Sequence, residues 1–194
     1  MGKRIILGVT GSVAAATLTH KMAAAMVAAG HEVRVVATTP ALYFIPEPHA
    51  GIYKDKDEWP AGGFIKNGPV GHIDMEHWGE VFVIAPLTAN TLTKLALGIA
   101  DNYLTCIFYA WTRFRPIVIA PAMNTDMWKN RLTKEHLERL RRRYPHLVIV
   151  PPVEKMLACG DIGMGAMANI GDIVNAIDDV QKLFEGHSDW RMED

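Results

Sequence analysis

Five short apolar segments recur along this chain, and their spacing limits the folds that it can adopt. Each is rich in β-branched residues over consecutive positions, a pattern typical of strands that are buried on both faces. The predicted strands are Ile5–Val9, Val33–Ala37, Val81–Ala85, Ile117–Ala120 and Leu147–Val150. Stretches of helical character separate most of them, and strands that alternate with helices favour a mainly parallel sheet.

Four stretches between or after these strands predict helices: Val13–Ala29, Asn90–Leu97, Thr133–Arg142 and Ile173–Phe184. The sequence therefore predicts an α/β fold, a single-domain Rossmann-like open parallel sheet with helices on both faces. A chain of 194 residues is long enough for one substantial core and short for two. We expect one domain over residues 1–185 and a flexible C-terminal tail over residues 186–194.

The segment Pro46–Gly71 does not fit the alternation of strands and helices. It contains four prolines and the charged run Lys54–Glu58. A long loop inside a compact domain is typically functional or mobile. We expect an excursion from the sheet that can include a small helix.

Charge, hydropathy and cysteine content exclude several classes of function. The formal net charge of −1 provides no strong field for nucleic acid or for an anionic membrane. No apolar run reaches the roughly 20 residues that a membrane span needs. Two cysteines are too few for a disulfide framework or a cysteine-rich zinc site. We therefore expect a cytoplasmic protein with no metal, no nucleic-acid partner and no membrane association.

Small polar residues follow the first two predicted strands, at the edge of a parallel sheet where ligands bind. Thr10–Val13 forms a glycine turn that opens a helix, and its backbone N–H groups, with the Ser12 hydroxyl, suit a phosphate. Thr38 and Thr39 follow the second strand and can complete such a cradle. Because many such turns need a glycine and a capping hydroxyl, a purely structural role for both stays open.

The remaining strand ends also carry residues that a core does not require. Pro86–Thr91 forms a small polar turn after the third strand, which a flat ring can approach. Asn124 lies within Pro121–Trp128 after the fourth strand, and its carboxamide can hold a carboxylate or an amide. Cys159 lies among three glycines after the fifth strand. This setting favours a mobile flap that carries a thiol, with a buried free cysteine as the alternative.

His72 has a more suggestive setting than the other histidines of the chain. It precedes the third predicted strand, and Asp74 lies two residues further on. A carboxylate beside an imidazole can orient the ring for general acid–base work. A surface histidine is an equally good interpretation from the sequence alone.

Four segments together resemble the homo-oligomeric flavin-containing cysteine decarboxylases, and among these the phosphopantothenoylcysteine decarboxylases. The segments are Thr10–Ala14, Pro86–Thr91, Pro121–Trp128 and Leu157–Ala168. The Pro-Ala-Met-Asn and Ala-Cys-Gly-Asp motifs are specific, whereas the glycine turn is common. The resemblance extends over nearly the whole chain, and it implies a homotrimer, or a multiple of trimers, with active sites between subunits.

The resemblance also implies roles for individual residues. The phosphate of FMN is expected to lie near Gly11, Ser12, Val13 and Thr39, and the flavin ring near Ala89 and Asn90. The expected substrate-binding residues are Asn124 and Met127, and the expected catalytic residues are His72 and Cys159.

The implied activity is the FMN-dependent decarboxylation of 4'-phosphopantothenoylcysteine to 4'-phosphopantetheine in coenzyme A biosynthesis. Hydride transfer to FMN would convert the cysteinyl thiol to a thioaldehyde, which accepts the electrons that remain when CO₂ leaves. The enethiol so formed would then be reduced by the returning hydride, with a proton from Cys159. The reaction would have no net redox change.

Two alternatives share this fold: an oxidative decarboxylase of a peptidyl C-terminal cysteine, and a flavin prenyltransferase. Asn124 and Cys159 together favour the pantetheine route over both. Two residues of the expected flap region depart from the family pattern: Met164 occurs where Asn is common, and Asn169 occurs where Glu is common. A non-catalytic regulatory flavoprotein is less favoured, because such relatives usually carry long acidic extensions.

Overall fold

A six-stranded parallel sheet forms the centre of the molecule. The computed structural model describes residues 2–59, 62–63, 68–111, 115–156 and 162–184. The strands of the sheet are β1 (Arg4–Val9), β2 (Glu32–Ala37), β3 (Ile52–Tyr53), β4 (Val81–Leu87), β5 (Ile117–Pro121) and β6 (Leu147–Ile149). Their spatial order is β3-β2-β1-β4-β5-β6, with every neighbouring pair parallel. All five predicted strands are confirmed, and the Rossmann-like α/β fold with them.

The edge strand β3, third along the chain, was not predicted from the sequence. It is two residues long and lies within the excursion Pro46–Gly71, so it is too short to produce a recognisable β pattern. The small helix expected in the same excursion is present as Asp55–Glu58. The excursion therefore returns to the sheet edge instead of forming a separate loop.

Helices connect the strands and continue to the end of the described chain. They are α1 (Ala14–Ala28), α2 (Thr39–Leu42), α3 (Asp55–Glu58), α4 (Gly71–Trp78), α5 (Ala89–Leu97), α6 (Tyr103–Ala110), α7 (Thr125–Lys129), α8 (Arg131–Arg143) and α9 (Ile170–Phe184). The four predicted helices correspond to α1, α5, α8 and α9. The sequence of α6, YLTCIFYA, is apolar almost all round and therefore shows no amphipathic period.

Successive residues of each central strand pack against different helices, because side chains alternate between the two faces of a sheet. Ile5 and Leu7 of β1 lie in a cluster with buried residues of α1 and α9. Ile6 of β1 and Ile84 of β4 lie in a second cluster with residues of α4, α5, α6 and α8. The sheet is thus covered on both faces.

A two-stranded antiparallel hairpin lies outside the main sheet, where the sequence suggested a glycine-rich flap. Its strands are β7 (Val153–Met156) and β8 (Ile162–Ala166), and Met156 pairs with Ile162. Cys159 lies in the chain between these two residues, outside the described residues. The predicted tail, residues 186–194, lies outside them as well. No helix within the described ranges is long and apolar enough to cross a membrane.

We predict that Ile84→Ala lowers the free energy of unfolding by about 2–5 kcal/mol, because Ile84 is fully buried in the central strand β4. Val27→Ala is the control, since Val27 is 56% exposed on α1 and alanine suits a helix. Urea denaturation followed by circular dichroism measures both. A cost for Ile84→Ala no larger than that of the control would contradict the described core.

Candidate functional site

The chain fills the sheet first on one side of β1 and then, from β4 onward, on the other side. The connections after β1 lead outward to β2 and β3, whereas those after β4 lead to β5 and β6 on the other side. The helices that follow these two neighbouring strands pack on opposite faces, α1 with one core cluster and α5 with the other. The turns at the two strand ends therefore diverge and leave a crevice, which is where open α/β sheets bind ligands.

A buried hydroxyl joins the two strands at this point. Thr10 is fully buried, and its Oγ1 donates to the Pro86 carbonyl at 2.7 Å. The same oxygen accepts the Thr88 N–H at 2.9 Å, and the Thr10 N–H also donates to Pro86 at 3.2 Å. The two turns that frame the crevice are thus tied to each other by one side chain.

The glycine turn after β1 packs closely on the segment after β2. A Cβ atom at Gly11 would lie 2.6 Å from Pro40 Cβ and 3.1 Å from the Pro40 carbonyl carbon, so a side chain there would force the two segments apart. Ser12 Oγ accepts the Ala14 N–H at 3.3 Å at the start of α1. A 15-residue helix thus directs its N-terminus at the crevice, and such an end favours an anion.

The crevice is a cleft of about 440 Å³, a volume in the range of about 300–1,000 Å³ that is usual for cofactor and small-molecule sites. Its walls come from the ends of β1, β2, β4 and β5 and from the helices that follow them. The lining residues are Gly11, Ser12, Val13, Thr38, Pro40, Phe44, Thr88, Ala89, Asn90, Thr91, Lys94, Asn102, Ala122, Met123 and Met127.

Six of the sequence-predicted site residues line this cleft: Gly11, Ser12, Val13, Ala89, Asn90 and Met127. Lys94 and Asn102 are among the lining residues that were not predicted as site residues. Lys94 lies four residues after Asn90 on α5 and so on the same helix face, and Asn102 caps α6 by accepting the Thr105 N–H at 3.0 Å. The helical spacing from Asn90 is the signal that would have identified Lys94.

Thr39 lies beside the cleft, and its hydroxyl has another partner. Its Oγ1 donates to Asp55 Oδ2 at 2.5 Å, while its neighbours Thr38 and Pro40 line the cleft. A hydroxyl has one proton to donate. The side chain of Thr39 would therefore have to turn away from Asp55 before it could donate to a phosphate.

Asn124 begins the short helix α7 after β5. Its Oδ1 accepts the Asp126 N–H at 2.8 Å, which fixes the orientation of the carboxamide on the exposed side of the turn. Asn124 is not itself among the described lining residues, but Met123 before it and Met127 after it are. The expected substrate-binding pair thus lies at the rim of the cleft.

The hairpin strand β8 rests directly on this turn. The Met123 N–H donates to the Gly165 carbonyl at 2.9 Å. Gly165 has a φ of +152°, and a Cβ atom there would overlap the Met123 carbonyl oxygen. A Cβ atom at Gly163 would overlap the side chain of Thr125. Two of the glycines that suggested a flap are therefore required where β8 contacts the Asn124 turn.

His72 is the second residue of α4, and its partner differs from the predicted one. Its Nδ1 lies 2.5 Å from Glu58 Oε1, whereas Asp74 is exposed to solvent. Residues two apart on a helix do not face each other, so Asp74 cannot orient the ring as the sequence suggested. His72 is not among the described residues that line the cleft of its own chain.

Cys106, the cysteine that the structure describes, has the properties of a protonated thiol. Burial raises its pKa, and the carboxylates of Glu58, Asp101 and Asp55 raise it further. Its Sγ donates to the Ala100 carbonyl at 3.6 Å, and Cys106 is not among the described residues that line the cleft. Cys159 remains the predicted catalytic cysteine.

Comparison with known proteins identifies relatives of the chain. The profile of the Flavoprotein family matches residues 1–182. A phosphopantothenoylcysteine decarboxylase of Arabidopsis thaliana is 44% identical over 85% of this chain and 78% of that protein. A probable thymidylate synthase of Schizosaccharomyces pombe is 41% identical over 92% of this chain, but the chain spans 29% of that protein's length.

Solved structures show the same fold. A cysteine-to-serine mutant of PPC decarboxylase complexed with pantothenoylaminoethenethiol superposes with a TM-score of 0.84 at 39% identity, covering 94% of this chain and 100% of that one. The FMN-binding protein AtHal3 superposes with a TM-score of 0.79 at 40% identity, covering 97% and 100%.

We predict that Thr10→Val lowers the free energy of unfolding by about 1–3 kcal/mol, because valine preserves the shape of threonine but leaves the part-buried Thr88 N–H without its acceptor. Thr10→Ser retains the hydroxyl and is the matched control, with an expected loss of about 0.8 kcal/mol for the missing methyl group. Urea denaturation of both variants provides the comparison. Equal losses would show that the hydroxyl does not join the strands.

Proposed function

The chain belongs to the flavoprotein family, and we propose that it is an FMN-dependent carboxy-lyase that converts 4'-phosphopantothenoylcysteine to 4'-phosphopantetheine. The observation that carries the proposal is the cleft at the ends of β1 and β4, because it brings the glycine turn, the Asn90 turn and Met127 together. The relatives named phosphopantothenoylcysteine decarboxylase and PPC decarboxylase support the choice of substrate.

The described residues of the cleft fit FMN. The N-terminus of α1 and the Ser12 hydroxyl suit the phosphate. Ala89 and Ala122 are small enough for a flat ring to approach the backbone, and the volume of about 440 Å³ suits a cofactor. When bound, FMN supplies a two-electron acceptor that takes a hydride from the substrate and later returns it.

The protein's own contribution begins with the substrate carboxylate. We assign its binding to Asn124, whose Nδ2 is the donor of a carboxamide already oriented through Oδ1. Met127 at the cleft rim provides the adjacent apolar contact. Holding the carboxylate in place aligns the bond that breaks, so that its electrons form a double bond to the thioaldehyde carbon and the sulfur takes up the electron pair of the C=S bond as CO₂ leaves.

Proton transfer is assigned to two side chains. His72 is the general acid–base group for the substrate. As the hydride returns to the carbon that bears sulfur, Cys159 donates a proton to the other carbon of the enethiol double bond. The two hydrogens removed in the first step are thereby restored. The product is 4'-phosphopantetheine, and the reaction is neutral in redox terms.

The position of His72 supports a homo-oligomer, which we propose to be a trimer or a multiple of trimers. Because the described cleft of one chain does not include His72, a neighbouring subunit would have to present it. Leu97, Ile99 and Tyr109 are 51%, 43% and 67% exposed, an apolar patch at the ends of α5 and α6 that subunit contacts would cover. We also place the protein in the cytoplasm, a proposal supported by its low cysteine content.

We predict that the Cys159→Ser variant, loaded with FMN and assayed in air so that dioxygen reoxidises the flavin, accumulates a decarboxylated product two hydrogens lighter than 4'-phosphopantetheine. Without the thiol proton, the enethiol is released before it is reduced. His72→Asn should abolish CO₂ release. Mass spectrometry of the product and trapping of CO₂ measure both outcomes.

The matched control is Cys106→Ser, which changes the cysteine whose pKa is raised by burial and by nearby carboxylates. It should produce 4'-phosphopantetheine at the wild-type rate. A flavin-loaded wild-type protein that releases no CO₂ would overturn the proposed function. Normal product from Cys159→Ser would overturn the role of that cysteine alone.

A further inference from the structure

A buried carboxylate lies against the predicted acid–base histidine. Glu58 is the last residue of α3, and its side chain is 5% exposed, whereas that of His72 is 28% exposed. Glu58 Oε1 and His72 Nδ1 are 2.5 Å apart, within hydrogen-bond distance. Burying a carboxylate is costly unless it is paired, and the imidazole is the partner at hydrogen-bond distance.

The space for this carboxylate depends on Gly71, the residue before the histidine. A Cβ atom at Gly71 would lie 2.7 Å from Glu58 Oε2 and 3.1 Å from the Tyr103 hydroxyl oxygen. Gly71 is not among the glycines with a positive φ, so its backbone does not require glycine. The close approach of Glu58 is therefore the physical reason why a residue without a side chain suits position 71.

The helix that carries Glu58 is anchored at its other end. Asp55, at the start of α3, accepts the Tyr103 N–H at 3.0 Å and the Thr39 hydroxyl at 2.5 Å. The Tyr103 hydroxyl in turn donates to the Gly71 carbonyl at 3.0 Å. Burial and the charge of Glu58 both raise the pKa of Tyr103, so this donor stays protonated. Glu58 therefore projects from a fixed support.

The second carboxylate oxygen shows that this arrangement is not optimised for stability. Glu58 Oε2 is buried and has no hydrogen-bond partner among the described residues. A buried polar atom without a partner destabilises the folded state. A residue retained at such a cost is expected to serve the site rather than the fold.

We infer that Glu58 is a positioning residue for His72. By holding the hydrogen of the ring on Nδ1, it leaves Nε2 as the atom that exchanges protons with the substrate. A carboxylate can only accept, so the Nδ1 atom that faces it carries the hydrogen. In a neutral imidazole this leaves the lone pair on Nε2. The inference rests on the proposed function, in which His72 is the acid–base group, and it adds the tautomer and the residue that sets it.

The kinetic test compares Glu58→Gln and Glu58→Ala with Glu138→Gln, a change of the same type on the exposed surface of α8. A positioned acid–base group contributes about 10²–10⁴-fold to rate, and we expect loss of its orientation to lower kcat about 10–100-fold, more for alanine than for glutamine. KM should change less than about threefold, because the carboxylate does not touch the substrate. Glu138→Gln should match the wild type.

A second variant leaves the charge of Glu58 in place. Gly71→Ala forces the carboxylate away from its position, and it should lower kcat in the same direction with flavin loading preserved. The urea midpoint of Glu58→Gln should equal or exceed that of the wild type, because a buried, incompletely paired charge has been removed. An unchanged kcat, or a kcat loss that follows a loss of stability or flavin, would overturn the inference.

The tautomer can be read without any turnover. Nitrogen NMR of the imidazole rings, with His72→Asn to identify the signal, should show hydrogen on Nδ1 of His72 in the wild type and a shift toward Nε2–H in Glu58→Ala. A wild-type ring protonated on Nε2 alone would overturn the inference. If the wild type released no CO₂, the proposed function would fail, and this spectrum would still decide the role of Glu58.

Discussion

The hydroxyl of Thr10 joins the carboxyl ends of β1 and β4, and the geometry of the candidate site depends on that contact. The hydroxyl donates to the Pro86 carbonyl and accepts a hydrogen bond from the Thr88 N–H. The chain turns to opposite faces of the sheet after these two strands, so a crevice opens between them. Without the hydroxyl at this position, the part-buried Thr88 N–H would lose its acceptor, while the Pro86 carbonyl would keep the Thr10 N–H.

The site also depends on the excursion from the sheet. Within it, α3 places one carboxylate against the N-terminus of α6 through Asp55 and Tyr103, and a second against His72 through Glu58. The two contacts are made by the two ends of a four-residue helix. A segment that looks irregular in sequence thus connects the edge of the cleft, at Thr39, with His72, the predicted acid–base residue. The contacts of α3 are the physical basis for including this helix in the candidate site.

The sequence predicted the sheet well because its signal is local. A run such as Ile5–Val9 has apolar residues on both faces, and a buried parallel strand is the structure that such a run favours. The positions of the glycine turn, Asn90 and Met127 could be predicted for a related reason. Once the parallel strands are correctly predicted, the residues that follow them must lie at the same edge of the sheet. By contrast, β3 has two residues and α6 has no polar face, so neither leaves a periodic pattern.

The partner of His72 could not be predicted in the same way. Asp74 is the carboxylate nearest in sequence, yet it is exposed to solvent, while Glu58, fourteen residues before His72, reaches the ring. Only the path of the excursion brings them together. Gly71 held a usable signal, because a glycine directly before a candidate histidine suggests that something approaches closely. The sequence alone does not say what approaches.

The central proposal is that this chain removes CO₂ from a cysteine-derived substrate and returns the electrons to the product. The most direct measurement is the yield of CO₂ per FMN in the absence of oxygen, with 4'-phosphopantothenoylcysteine in excess over the flavin-loaded protein. We expect many equivalents of CO₂ per FMN, each matched by one 4'-phosphopantetheine, with oxidised flavin at the end. A single equivalent followed by arrest with reduced flavin, or no CO₂ at all, would contradict it.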